Sequence, residues 1–330
     1  MRHSRSLLGV LCCFLMAFVA NPLWAKPPPK EGPVKDRATI KQDSGKTVYW
    51  VLPGKRKLSK EVFGTPKNPK MTCDEKFANA PEKPPTVKGL LQKLPALVCA
   101  PMKHRETNAD GTEFTYFSKP TLFSDRAQPL SFEKGKNGWF EATYINRIDK
   151  DRKGPPGNTI DEARMTAEFS DPQGNRYRVE LDHVVQPPFP GYHTQGGVIV
   201  DGGHHGTTGT GSPLMPRQYT RAAFWGVGTV EINGEKLDGF RVMHMMTGEV
   251  VRNRDYELVE DEELPLSPDE RHIGNQPHHT HLVVLPIKPP PPKFNPNVTK
   301  FELPNGKMQP FIHIMYEQDS VTEWELNLDS

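Results

Sequence analysis

Between residues 132 and 325 apolar and polar side chains alternate with a period of two, the spacing of a strand that buries one face. Met165-Thr166-Ala167-Glu168-Phe169 and Tyr177-Arg178-Val179-Glu180-Leu181 both follow it, and the turn-forming Asp171-Pro172-Gln173-Gly174-Asn175 between them predicts a hairpin. Asn233-Gly234 is a stronger turn signal, because both residues accept positive φ and the segments at 229–232 and 235–237 flank it. Further strands are predicted at 139–148, 197–200, 240–246, 279–285 and 310–316. Long helical spacing and internal repeats are absent. The fold class predicted is therefore mostly β, an antiparallel β-sandwich or barrel, with a small irregular disulfide-stapled segment before it.

The N-terminal part departs from this pattern. Arg2 and Arg5 precede an apolar run at 7–20, and Asn21-Pro22-Leu23-Trp24-Ala25 leads to a small residue, the layout of a secretory signal cut after Ala25. The run is shorter than the roughly 20 residues of a membrane-spanning helix. No later stretch approaches that length, so the expectation is a periplasmic or secreted chain without a stable membrane anchor. Residues 26–47 are rich in Pro and Lys and read as a mobile tail. Residues 48–124 read as an irregular segment with one helical candidate at 87–97, and 125–330 as the β-rich domain that carries the histidines and methionines.

Lysine and arginine total 42 against 40 acidic residues, and the leader holds two of the basic residues and no acidic one, so the mature chain is neutral. That balance excludes the basic surface that nucleic acid selects. Only Cys73 and Cys99 survive cleavage, and in an oxidising compartment they are expected to form one disulfide, worth roughly 3 kcal/mol on the chain-entropy view. The proline run Pro289-Pro290-Pro291-Pro292 reads as a stiff connector.

Histidine carries the candidate chemistry. Ten of the twelve histidines lie between His183 and His313, with Met243, Met245 and Met246 among them and Met315 just beyond. Strand parity places His183 with Tyr177, Val179 and Leu181, and His244 with Phe240, Val242 and Met246. The same parity joins His279 and His281 to Val283 and Leu285, so three strands are expected to carry histidines toward one interior, and it joins His313 and Met315 to Phe311 and Glu317. His278-His279-Thr280-His281 contains imidazoles at i and i+2, a spacing that metal-binding strands use. The glycine-rich passage at 191–211 surrounds His193, His204 and His205 and predicts a loop folded over a pocket. It lacks phosphate-loop, dinucleotide and nucleophile-elbow spacing.

The candidate ligands are therefore His279, His281, His244, His205, His204 and His313. Imidazole suits copper, zinc and iron, and thioethers in an exported protein favour copper, with zinc or iron as alternatives. The order His204-His205, His244, His279-Thr280-His281, Met315 resembles that of the copper type II ascorbate-dependent monooxygenases. In that family a His-His pair with a further His, and a His-x-His pair with a Met, hold two coppers. The chain departs from the family at Gly206, where a Met is expected, in its shorter spacings and in its few cysteines. The resemblance implies only how such ligands are shared between sites.

Three function classes follow. The first is an exported metal-binding protein that carries or sequesters the ion. The second is a metal-dependent enzyme, redox or hydrolytic, whose ion keeps a position open for a small-molecule substrate while Asp182 or Glu249 assists proton transfer. The third is a metal-free β-barrel module for an apolar or carbohydrate ligand, with Trp139, Phe224 and Trp225 at its mouth.

Overall fold

The computed structural model describes residues 33–52, 138–147, 159–185, 197–205, 208, 216–255, 259, 261–272, 276–288, 297–303, 306, 308–309 and 311–327. It also gives the backbone of short strands at 56–57, 64–65, 68–69, 106–107, 113–115, 126–129 and 293–294. The leader, the helical candidate at 87–97, Cys73 and Cys99, His193 and the proline run lie outside the described residues.

One antiparallel sheet of 13 strands forms the body. In chain order its strands are β1 (Asp36–Lys46), β2 (Val48–Leu52), β3 (Arg126–Pro129), β4 (Gly138–Asn146), β5 (Glu162–Ser170), β6 (Arg176–Val184), β7 (Val198–His204), β8 (Gln218–Ile232), β9 (Glu235–Lys236), β10 (Arg241–Glu249), β11 (His278–Val284), β12 (Ile312–Tyr316) and β13 (Ser320–Leu326). Their order across the sheet is β13-β1-β4-β5-β6-β8-β10-β11-β12-β2-β3, with β7 and β9 also paired to β8. No α-helix occurs among the described residues, and none is long and apolar enough to cross a membrane. Thr47 alone separates β1 from β2, which lie near opposite ends of this order. The sheet must therefore curl on itself, giving a half-barrel in place of two packed sheets.

Residues 26–47 are not a mobile tail throughout, because Asp36–Lys46 forms β1, paired with β4 on one side and β13 on the other. Ala38 and Ile40 point inward, and buried Asp36 accepts from Asn146 Nδ2 at 3.0 Å. Segment 48–124 likewise begins with a strand of the main sheet rather than irregular chain.

The inner face is one apolar cluster drawn from strands on all sides of the curl. Trp50 is fully buried, meets the rings of Phe169, Tyr177 and Phe301 edge-on, and donates to the Ser170 carbonyl at 3.0 Å. Phe140 meets Tyr316 at 4.6 Å between ring centroids. These contacts join strands far apart in the sheet order, so the interior is filled by side chains. Met243 and Met245 belong to this inner cluster, opposite in parity to His244.

Candidate metal centre

The histidines gather on the outer face of the same sheet. Adjacent strands place the directly opposed residues of three rows side by side: His244, Val283 and His313; Met246, His281 and Met315; then Gly248 and His279. Glu317, one residue past β12, continues the parity of His313 and Met315. Opposed side chains in such rows stand within about 5 Å at Cβ, so alternation alone assembles a field of ligating groups. Segments 250–255 and 261–272 are joined by the Asn253–Arg271 bridge and reach this face through the hydrogen bond of His272 to Glu317. His272 ends the second of these segments, and its backbone N–H bonds the Arg252 carbonyl at 3.3 Å.

Two bulges add residues that strict alternation would have turned away. The register between β6 and β8 shifts between Leu181 and His183, so Val184 takes the inner position and His183 faces outward opposite Val227. The parity that grouped His183 with Tyr177 and Val179 therefore fails at this bulge. A second shift lies between Thr220 and Ala222 in β8, where Asp201 of β7 takes a left-handed φ of 59°. Past it His204 pairs with Gln218, whose side chain donates to the Met246 sulfur at 3.6 Å.

His204, His205 and His244 form one group, with ligand atoms all within 4.8 Å of one another. All three are buried. The His244 Nδ1–H donates to the Phe224 carbonyl at 2.7 Å, which fixes the tautomer and leaves Nε2 without a protein partner. Both ring nitrogens of His204 are likewise unpartnered. Trp225 stacks on His244 at 4.5 Å and 19° between planes, walling that side. His205 holds a left-handed φ of 63°, and its carbonyl accepts from the Thr208 N–H at 3.1 Å and hydroxyl at 2.6 Å. A non-glycine residue in that region costs about 1 kcal/mol or more, a local strain typical of a functional position.

Burial lowers the affinity of these rings for protons. The His244 pKa falls to about 4 through desolvation, partly opposed by its bond to Phe224. His204 is pushed well below the usual imidazole range by desolvation and then by His205 and His244. Neutral imidazole is the form that binds metal.

A second group comprises His272, His279 and Glu317, again within 4.8 Å. The His279 Nε2 lies 3.1 Å from His281 Nε2, and His281 Nδ1 lies 2.9 Å from His313 Nε2. Burial holds both His279 and His281 well below the usual imidazole pKa, and His205 contributes to the field at His281. The histidines thus run as a file from one group to the other.

All six sequence candidates stand in this file. His204, His205 and His244 make the first group, His279 belongs to the second, and His281 and His313 continue from His279 by ring-to-ring hydrogen bonds. Sequence reasoning did not nominate His272, which lies in an aperiodic segment. It also passed over Glu317 as a ligand, although strand parity put it beside His313 and Met315. His183 bonds Asp182 through Nδ1 at 2.7 Å and belongs to neither group. Glu249 lines a cleft of about 210 Å³ with Tyr219, Arg271 and His278, and burial raises its pKa. Trp139, Phe224 and Trp225 share no mouth: Phe224 packs inside, Trp225 covers His244, and Trp139 donates to Glu168.

Compared with protein-family models, curated proteins and solved structures, the chain matches none.

Proposed function

We propose that this is an exported metal-binding protein that holds copper between His204, His205 and His244 and carries or sequesters it. The observation that supports this most is the convergence of three buried imidazoles within 4.8 Å, with His244 Nε2 and both His204 nitrogens unclaimed by protein. A buried unpartnered nitrogen costs about 1–3 kcal/mol, and a metal ion removes that cost by using the lone pair. Copper is favoured over zinc because Met246 follows His244 on the same face and accepts from Gln218, beside His204. The outward route rests on the leader sequence, which also takes the chain where copper is accessible.

A metal-dependent enzyme is the second reading, favoured by a count of three protein ligands, which leaves a coordination position for substrate. Glu249 lines a cleft that could admit a small molecule, and it is the carboxylate this reading would use as a proton acceptor.

Elemental analysis of protein purified without chelator tests the proposal. Near-stoichiometric copper that disappears in His244→Ala is expected, whereas a metal-free wild type that remains folded would remove the reading. Azide added to the copper(II) form separates the two versions. A changed electron paramagnetic resonance spectrum supports an open site, and an unchanged one supports storage or transport.

A further inference from the structure

The geometry points to a second cation site, formed by His272, His279 and Glu317, that takes a divalent ion accepting nitrogen and oxygen ligands, with Zn²⁺ as the probe. It shares no residue with the three-imidazole group and does not depend on that group being filled.

The donor atoms are identifiable. His272 places Nδ1 3.3 Å from the Arg252 carbonyl, so Nδ1 carries the proton and Nε2 is the ligand. In the metal-free chain that Nε2 and Glu317 Oε1 share a proton, which a cation would displace as it takes the nitrogen and the carboxylate oxygen as ligands. His279 engages His281 through Nε2, and its Nδ1 is buried with no hydrogen-bond partner. Each ligating ring therefore has its other nitrogen held by a neighbour, the arrangement that orients metal-binding histidines.

Three separate pieces of chain supply these groups. His279 stands on β11, Glu317 follows β12 on the adjoining strand, and His272 comes from the segment at 261–272. His279 is completely buried and Glu317 is 3 % exposed, so the site is shielded from competing water.

The neighbouring carboxylate, Asp319, is already held by His278 Nδ1 at 3.2 Å and by the Thr280 hydroxyl at 2.6 Å, which leaves Glu317 as the carboxylate that meets His272. An ordinary ion pair between His272 and Glu317 would leave the His279 Nδ1 unexplained. Two imidazoles with one carboxylate form a harder ligand set than three imidazoles beside a thioether, and such sets bind Zn²⁺ or Fe²⁺ in preference to Cu(I). The file through His281 and His313 lies beside this site, so two ions of different character would be held on one sheet face.

The test loads chelator-treated mature protein with Cu(I) and Zn²⁺ together, removes free metal by gel filtration, and counts both elements. One copper and one zinc per chain are expected. Glu317→Gln and His272→Ala should lose zinc and keep copper, while His244→Ala should lose copper and keep zinc. Zinc retained by both Glu317→Gln and His272→Ala, or lost only in His244→Ala, overturns the second site and leaves the copper reading standing. Glu317-dependent zinc in a protein that holds no copper does the reverse. Should the variants fail to fold, zinc absorption spectroscopy on the wild type decides: a shell with two imidazoles and carboxylate oxygen supports the site, and a shell of imidazole alone overturns it.

Discussion

Replacing His244 by Asn should flatten the acid sensitivity of the metal-free protein. The asparagine amide can still donate to the Phe224 carbonyl that now accepts from His244 Nδ1, so the substitution removes a titrating ring while keeping its main hydrogen bond. Burial lowers the His244 pKa from 6.5 to about 4. At 1.36 kcal/mol per unit, that shift corresponds to about 3 kcal/mol. Because the folded form binds its proton more weakly than the unfolded chain, the contribution is complete above about pH 6.5 and is lost as pH falls toward about 4. Urea unfolding of chelator-treated wild type and His244→Asn at about pH 7.5 and about pH 4.5 reads the difference. Depressed pKa values at His279 and His281 steepen both curves, whereas His204 loses the His244 contribution to its field, so the gap between the two proteins reads His244 together with its effect on His204. A variant that loses as much stability as wild type over this range would refute the reasoning. Bound metal should move the wild-type loss to lower pH, since it competes with the proton for the same nitrogen.

Trp50→Ala should cost about 3–5 kcal/mol in urea unfolding while leaving metal content per folded molecule unchanged, because the ring fills the inner face and the ligands occupy the outer one. Gly228→Ala should abolish soluble folded protein, judged by yield and circular dichroism. Its new Cβ would stand 2.1 Å from the Glu180 carbonyl oxygen and 2.5 Å from Met243 Cε. The exported protein should have no free thiol under denaturing conditions, and a thiol assay that finds two would remove the Cys73–Cys99 bridge.

Local turn chemistry and alternation made much of this fold legible. Asn233 and Gly234 take φ values of 56° and 84°, as a two-residue hairpin of that sequence requires. The alternation around His244, His281 and His313 grouped each with its same-face neighbours, but the reading of that face as the interior is corrected by the inner cluster that holds Met243 and Met245 instead. Alternation could not reveal that the apolar cluster lies on the opposite side, because the ligand field is also buried. Parity failed at His183, where the extra residue of a bulge leaves no mark in the residue types. β1 was illegible because Asp36 and Gln42 occupy inward positions and are satisfied there by hydrogen bonds, Gln42 to the Gly138 carbonyl among them. His272 reaches the site by tertiary folding of a segment without periodicity, a placement that spacing along the chain cannot encode.

The pairing of the first and last strands has a topological consequence. β1 lies against β13, and the Asn327 N–H bonds the Lys35 carbonyl at 3.1 Å. The register at this seam cannot be completed until Leu326 is available to Asp36. As the chain is synthesised from its N-terminal end, β1 must therefore wait with an unpaired edge, the condition that invites strand-to-strand aggregation and holding by a chaperone. Once the seam closes, Lys35 and Asn327 stand side by side, so the two ends of the described sheet share one point of attachment.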